Sequence, residues 1–280
     1  MEGFAGFMRG SLTIARYTLR EGLRKKIMIG FLIVSILFIF GAQFITSFLT
    51  QSSIGDSGAD LDVKLIKDIC ITTIAMFGML ITIFASASVV PGEVENKVIY
   101  TILSKPVRRF QYLFGKFIGV QFIILLNLVL MGGLFFFALY VKQQVLPTLL
   151  LYSILLTYFQ FLIVSAFTFA ISCTASSAVL PTIAGLFIYV TGNLTEYLKD
   201  VYDRAGQTEQ FLDALIGRIA FGLYYVLPNL RLFDLKDQIL HLQPNDPPRD
   251  VQFPQLIAYG LAYALAGYIM SYWIFRRKEL

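Results

Sequence analysis

The sequence predicts an all-α integral membrane protein with six transmembrane helices. Three observations carry that expectation. Hydrophobic residues make up 57% of the chain and charged residues 15%, and mean hydropathy is +0.70, far from a soluble composition. Charges are absent from residues 27–55, 69–92, 117–141, 143–195 and 251–275. A helix needs roughly 20 apolar residues to cross the hydrocarbon core, so four of these runs each hold one span and the longest holds two. The apolar residues are continuous rather than alternating, which excludes a barrel wall.

The 280 residues therefore read as a single transmembrane domain. Residues 1–26 precede the first span and form an amphipathic helix. Met8, Leu12, Ala15, Leu19 and Leu23 recur on one stripe, beside Arg16, Arg20 and Arg24. Such a helix lies in the membrane interface, with the basic groups of Arg16, Arg20, Arg24, Lys25 and Lys26 at the lipid phosphates. The spans are expected near 27–49, 69–90, 117–140, 148–172, 178–194 and 253–275. The fourth and fifth are divided by "CTASSAVLP", a small polar stretch ending in Pro181, which interrupts a helix. No cleavable signal is visible, because the first apolar run is long enough to remain as an anchor.

Six spans place both termini on one side. Lys and Arg number 14 in 1–26, 91–116 and 276–280, against 9 in 50–68, 141–147 and 195–252. Basic residues in short loops mark the cytoplasmic side, so the termini and the 91–116 loop are expected there, in a multi-pass protein of the bacterial inner (plasma) membrane. The basic balance matches anionic lipid and calls for no nucleic acid.

Residues 195–252 form an outer loop too long to be structureless. Its apolar part, "FLDALIGRIAFGLYYVLPNLRLF", contains Asp213 and Arg218 and is expected as a re-entrant or surface-lying helix pair ended by Pro228. The segment "PGEVENKVIYTILSKPVRRFQYLFGK", residues 91–116, carries seven formal charges between two charge-free runs. Val94, Val98, Ile99, Ile102 and Leu103 form a helical stripe, Glu93 and Glu95 sit at its start where a helix favours acids, and Pro106 ends it. Arg108, Arg109 and Lys116 return the chain to the basic interface. Periodicity leaves three roles open for this helix: lying on lipid, stabilising a turn, or docking a cytoplasmic partner.

These features together resemble the permease subunit of the type-2 ABC exporters. The matching residues are Glu93 and Glu95, "VIYTILS", "KPVRR" with Pro106 and Arg109, and Gly115-Lys116. The layout agrees over the whole chain and the motif over about 25 residues. The family often has Gly-Thr after the acidic pair, where this chain has Asn96-Lys97. The resemblance implies that residues 91–105 are a coupling helix seated in a separate cytoplasmic ABC ATPase, through Glu93, Glu95, Val98, Ile99, Ile102, Pro106 and Arg109. It further implies a working dimer of permeases, a homodimer in the simplest case, that exports cargo by alternating access. ATP and Mg would be bound by the partner. The 195–252 loop resembles the extracellular helices of that family.

The chain contains no G-x-x-x-x-G-K-[ST], so it is expected not to hydrolyse ATP itself. The expected spans hold no Asp, Glu, Lys, Arg or His. That argues against an ion-coupled secondary transporter and against an intramembrane enzyme. A non-transporting anchor or assembly subunit stays open beside the exporter. His241 has no neighbouring cysteine, Cys70 and Cys173 are expected near opposite faces, and no metal site is expected. Asn193-Leu194-Thr195 reads as a chance sequon beside a span. Gln43, Gln121, Asn127 and Gln160 are expected to make interhelical hydrogen bonds. The 26 Phe and 15 Tyr are expected mainly in lipid contact and packing. Lipid, drug, peptide or polysaccharide cargo, and a role in maturing an envelope enzyme, stay open.

Overall fold

The computed structural model describes residues 2–51, 57–95, 109–143, 148–195, 227–236 and 252–277, with isolated positions at 197, 200, 202, 218–219, 221–222, 224 and 239. The described elements are helical. In chain order they are α1 (Glu2–Arg24), α2 (Lys26–Gln51), α3 (Ser57–Ser88), α4 (Pro91–Glu95), α5 (Arg109–Gln143), α6 (Thr148–Ser172), α7 (Val179–Asn193), a 3-10 turn (Arg231–Phe233) and α8 (Phe253–Arg277).

Five of these helices are long and apolar enough to cross a membrane: α2, α3, α5, α6 and α8. α3 and α6 form the buried centre, whereas α2 and α8 are largely exposed. The exposed faces are apolar, with Phe44 76% and Phe48 72% accessible on α2 and Leu265 60% on α8. Apolar side chains left outward in this density mark a lipid-facing surface. α5 and α8 are joined by aromatic contacts, among them Phe110 with Tyr268 and Tyr272 and Tyr112 with Phe275.

The expected fifth span, 178–194, is α7, and it is shorter than the helices of the other five. Its 15 residues rise about 22 Å, less than the roughly 30 Å of a hydrocarbon core. Residues 228–233 fold back over its end: Leu230 N–H donates to the Gly192 carbonyl at 3.0 Å, and Leu230 and Phe233 are buried against α6 and α8 residues. The turn preceding α7 covers 173–178, so Pro181 stands inside the first helical turn rather than in the turn itself. A proline is tolerated there because that N–H has no intrahelical acceptor. Residues 218–219, 221–222 and 224 are helical, and the rest of the expected helix pair before Pro228 lies outside the described residues.

α1 lies against the start of α5 through small residues. A side chain on Gly115 would come within 2.7 Å of the Ser11 carbonyl, and one on Gly119 within 2.6 Å of Thr18. Ser11, Ala15, Thr18 and Gly22 make the buried face of α1, meeting a G-x-x-x-G pair that lets two backbones approach closely. Met8, Leu12 and Leu23 of the expected stripe are exposed, Leu19 is half-buried, and Ala15 is buried. Ala15 therefore differs from the lipid-facing expectation, because it lies where α1 meets α5, its carbonyl close to Gly119.

Candidate functional site

α1, the C-terminal end of α3, α4, the start of α5 and the end of α8 meet at one end of the bundle, here called the base. α3 stops at Ser88, and after two residues Pro91 opens α4, where proline suits the first helical position. Glu93 N–H and Val94 N–H both donate to the Val90 carbonyl, at 3.1 and 3.2 Å. This tight turn aims Glu93 into the bundle rather than away from it.

Glu93 is 2% accessible, and Lys116 and Tyr112 on α5 are fully buried. One carboxylate oxygen of Glu93 accepts from the Lys116 ammonium and the other from the Tyr112 hydroxyl. Tyr112 and Lys116 stand four residues apart, on one face of α5. The Lys116 ammonium lies 5.3 Å from the centre of the Tyr17 ring and 5.9 Å from that of Tyr112, within cation–π range. It is also 3.9 Å from Glu21 Oε2 on α1, an oxygen that is buried without a hydrogen-bond partner. Glu21 Oε1 is 3.7 Å from Lys25 Nζ, and Lys25 Nζ donates to Ser88 Oγ on α3 at 2.9 Å. Burial pulls the Lys25 pKa below the usual lysine value, with Glu21 acting in the opposite direction.

The result is a line of alternating charge, Glu93, Lys116, Glu21 and Lys25, that ties α4, α5, α1 and α3. It contains two carboxylates and two ammonium groups, so it is neutral as a unit. Each buried charge keeps an opposite neighbour, which is the condition for placing it in a low-dielectric interior.

A model of the ABC-2 family transporter protein matches residues 12–280. The chain belongs to that family. Comparison with curated proteins returns no match. This ABC-2 family protein is accordingly a multi-pass membrane permease of the ABC-transporter type, and its base contains the described parts of the motif segment, 91–95 and 109–116.

The expected coupling residues do not share one surface. Glu95 is exposed. Glu93 is interior, which differs from an exposed docking group, because the α3–α4 turn and Lys116 draw its carboxylate inward. Arg109 is half-buried and donates to the Arg276 carbonyl of α8 at 3.0 Å, a favourable place for a cation at a helix C-terminus. Val98, Ile99, Ile102 and Pro106 lie outside the described residues. Of the expected interface residues, Arg16, Arg20, Arg24 and Lys26 are exposed and Lys25 is half-buried.

Lys116 corrects the expectation of a basic interfacial residue, since it is enclosed. Sequence reasoning missed its partnership with Glu93, Tyr112 and Glu21. A signal existed: Glu93 is the first charge after the run 69–92, and Lys116 the last before the run 117–141. Opposite charges at the same ends of two adjacent spans stand at one depth.

The polar residues of the spans are partly as expected. Gln121 Nε2 donates to Ser165 Oγ at 2.8 Å, joining α5 to α6, and Gln160 Nε2 donates to Asn193 Oδ1 at 3.2 Å, joining α6 to α7. Asn127 instead donates within its own helix, to the Ile123 carbonyl at 2.8 Å, because a short amide one turn on reaches its own backbone first. Cys70 and Cys173 are buried and are not disulfide-bonded. Among the described residues no cluster of metal-ligating side chains occurs.

Proposed function

We propose that this ABC-2 permease is the translocating half of an ATP-driven exporter, energised by a separate cytoplasmic ATPase that binds ATP and Mg and grips residues 91–105. Two permease copies enclose the path, and the base faces the cytoplasm of a bacterial cell. The chain itself is not an enzyme. α7 completes the fifth of the six crossings together with residues 228–233 folded over its end.

The observation that carries this reading is the enclosure of Glu93. A helix that only rested on lipid would have no need of a buried ion pair at its root. Glu93, Lys116 and Glu21 instead join the root of the 91–105 segment to α5 and α1, so a displacement imposed on that segment moves both helices as one body. Glu95, exposed two residues further on, belongs to the docking surface, and Glu93 to the link behind it.

The test separates docking from transmission. Glu95→Lys is expected to reduce co-purification of the ATPase. Glu93→Gln, which keeps the Tyr112 and Lys116 contacts in weakened form, is expected to leave co-purification intact and to lower cargo-stimulated ATP turnover severalfold. An ATPase that co-purifies and turns over normally with both variants would reject the reading.

A further inference from the structure

Beside the Glu93 network, on the other side of the α1–α2 junction, a cavity of about 530 Å³ opens on the flank of the bundle. It lies where three helix ends converge: the start of α2, the last turn of α3 and the first turn of α7. Met28, Phe84 and Ile183 supply apolar walls, and Lys25, Lys26 and Ser88 supply the polar groups. Its volume falls in the range of small-molecule sites, and its accessible lining is almost wholly apolar, with the two lysines contributed by the α1–α2 junction. The exposed side chains flanking it, Ile27, Val179 and Leu180, are those of a lipid-facing surface.

We propose that this crevice holds one anionic phospholipid, its acyl chain between α2, α3 and α7 and its phosphate at Lys25 and Lys26. The proposal depends on membrane embedding alone and is independent of the exporter reading. Charge complementarity selects the occupant. Among the described residues Lys26 has no ion-pair partner, and Arg24, exposed, stands two residues before it in the chain. Glu21 is the acidic group near Lys25, and it is shared with Lys116. The cavity mouth also contains Ala178 and Val179 at the start of α7, where the Val179 N–H donates to Ser177 Oγ at 3.4 Å. A second copy of the chain fits less well. An isologous contact centred here would set Lys25 and Lys26 against their own equivalents, opposing like charges.

Lipid retention by the full chain tests this. Wild-type protein in nanodiscs of phosphatidylcholine with a minor share of phosphatidylglycerol is extracted into mild detergent, and its bound lipid is identified by native mass spectrometry. Phosphatidylglycerol is expected to be enriched over its share of the bilayer. Lys25→Gln with Lys26→Gln should reduce that enrichment by about tenfold, Lys26→Arg should preserve it, and Thr182→Trp, which fills the cavity, should abolish it. Should Thr182→Trp fail to give monodisperse protein, the exposed Lys26→Gln decides alone. Equal retention of both lipids by wild type, or unchanged enrichment in the lysine variants, would overturn the proposal. So would efficient disulfide formation between copies carrying Ile183→Cys in lipid of either kind, because a second copy would then occupy the crevice.

Discussion

Two ion pairs stand at opposite ends of the bundle, and their difference explains much of its design. At the base, Lys116 and Glu93 have side chains that are 0% and 2% accessible. At the far end, Lys236 Nζ lies 2.7 Å from Asp68 Oδ1, with accessibilities of 33% and 47%, and also donates to Thr72 Oγ1 at 3.0 Å. Both are lysine–carboxylate contacts made across the fold. The far pair faces solvent, where such contacts contribute about 0–1 kcal/mol. The base pair is cut off from water, so losing either member strands the other in the interior, at a cost of about 3–5 kcal/mol. Tyr112 occupies the second oxygen of Glu93 and leaves that carboxylate fully bonded. Loss of a partner is therefore expected to be costly at the base and cheap at the far pair.

The strongest way to break this comparison is to remove one partner at the base. Lys116→Met is expected to lower stability by about 3–5 kcal/mol, read by thermal or denaturant unfolding of the purified chain in detergent. Combining it with Glu93→Gln should recover a large part of that loss, because the stranded charge is gone. If the double variant were no better than the single one, packing rather than charge would be the reason for the cluster.

A smaller effect sharpens how the base is assembled. Gly119→Leu would drive a side chain into Thr18 and the Ala15 carbonyl, and overpacking of this kind costs about 1–3 kcal/mol. The same substitution at Gly133, where an added Cβ meets nothing within 4 Å, should be close to neutral. The smallest effect belongs to the far end. Asp68→Asn is expected to change stability by about 0.5 kcal/mol or less, with a dependence on salt that Lys116→Met lacks. A loss at Asp68 equal to that at Lys116 would remove the distinction between the two ends.

Much of the architecture was legible in the sequence. The charge-free runs placed α2, α3, α5, α6 and α8 to within a few residues at their apolar portions, because hydropathy over a span is a local property. The helices run past those portions where the structure has polar extensions. α3 begins at Ser57 and so brings Lys67 into the fold, where it is 6% accessible and donates to the Ile239 carbonyl at 3.0 Å. α7 was placed to within a residue at either end, 178–194 expected against Val179–Asn193. What the run 143–195 does not report is the contact of Leu230 with Gly192.

The candidate site was legible in part. The 91–116 segment stood out by composition, and Glu93 by its place at a helix start. Its direction was not readable, because an acidic residue in a first turn satisfies the helix whether it points to water or to a lysine. For the same reason Ala15 counted as part of an apolar stripe, although it lies where α1 meets α5.

The sequence alone determined membrane embedding, the positions of the long helices and the asymmetry of basic charge, since each depends on residues near one another in the chain and on their transfer from water to lipid. Only the tertiary structure decided which charges are enclosed. Glu93 and Lys116 stand 23 residues apart and reach Glu21 on yet another helix. Whether such groups meet solvent, lipid or one another depends on how the helices pack, and packing is a property of the whole bundle rather than of any segment in it.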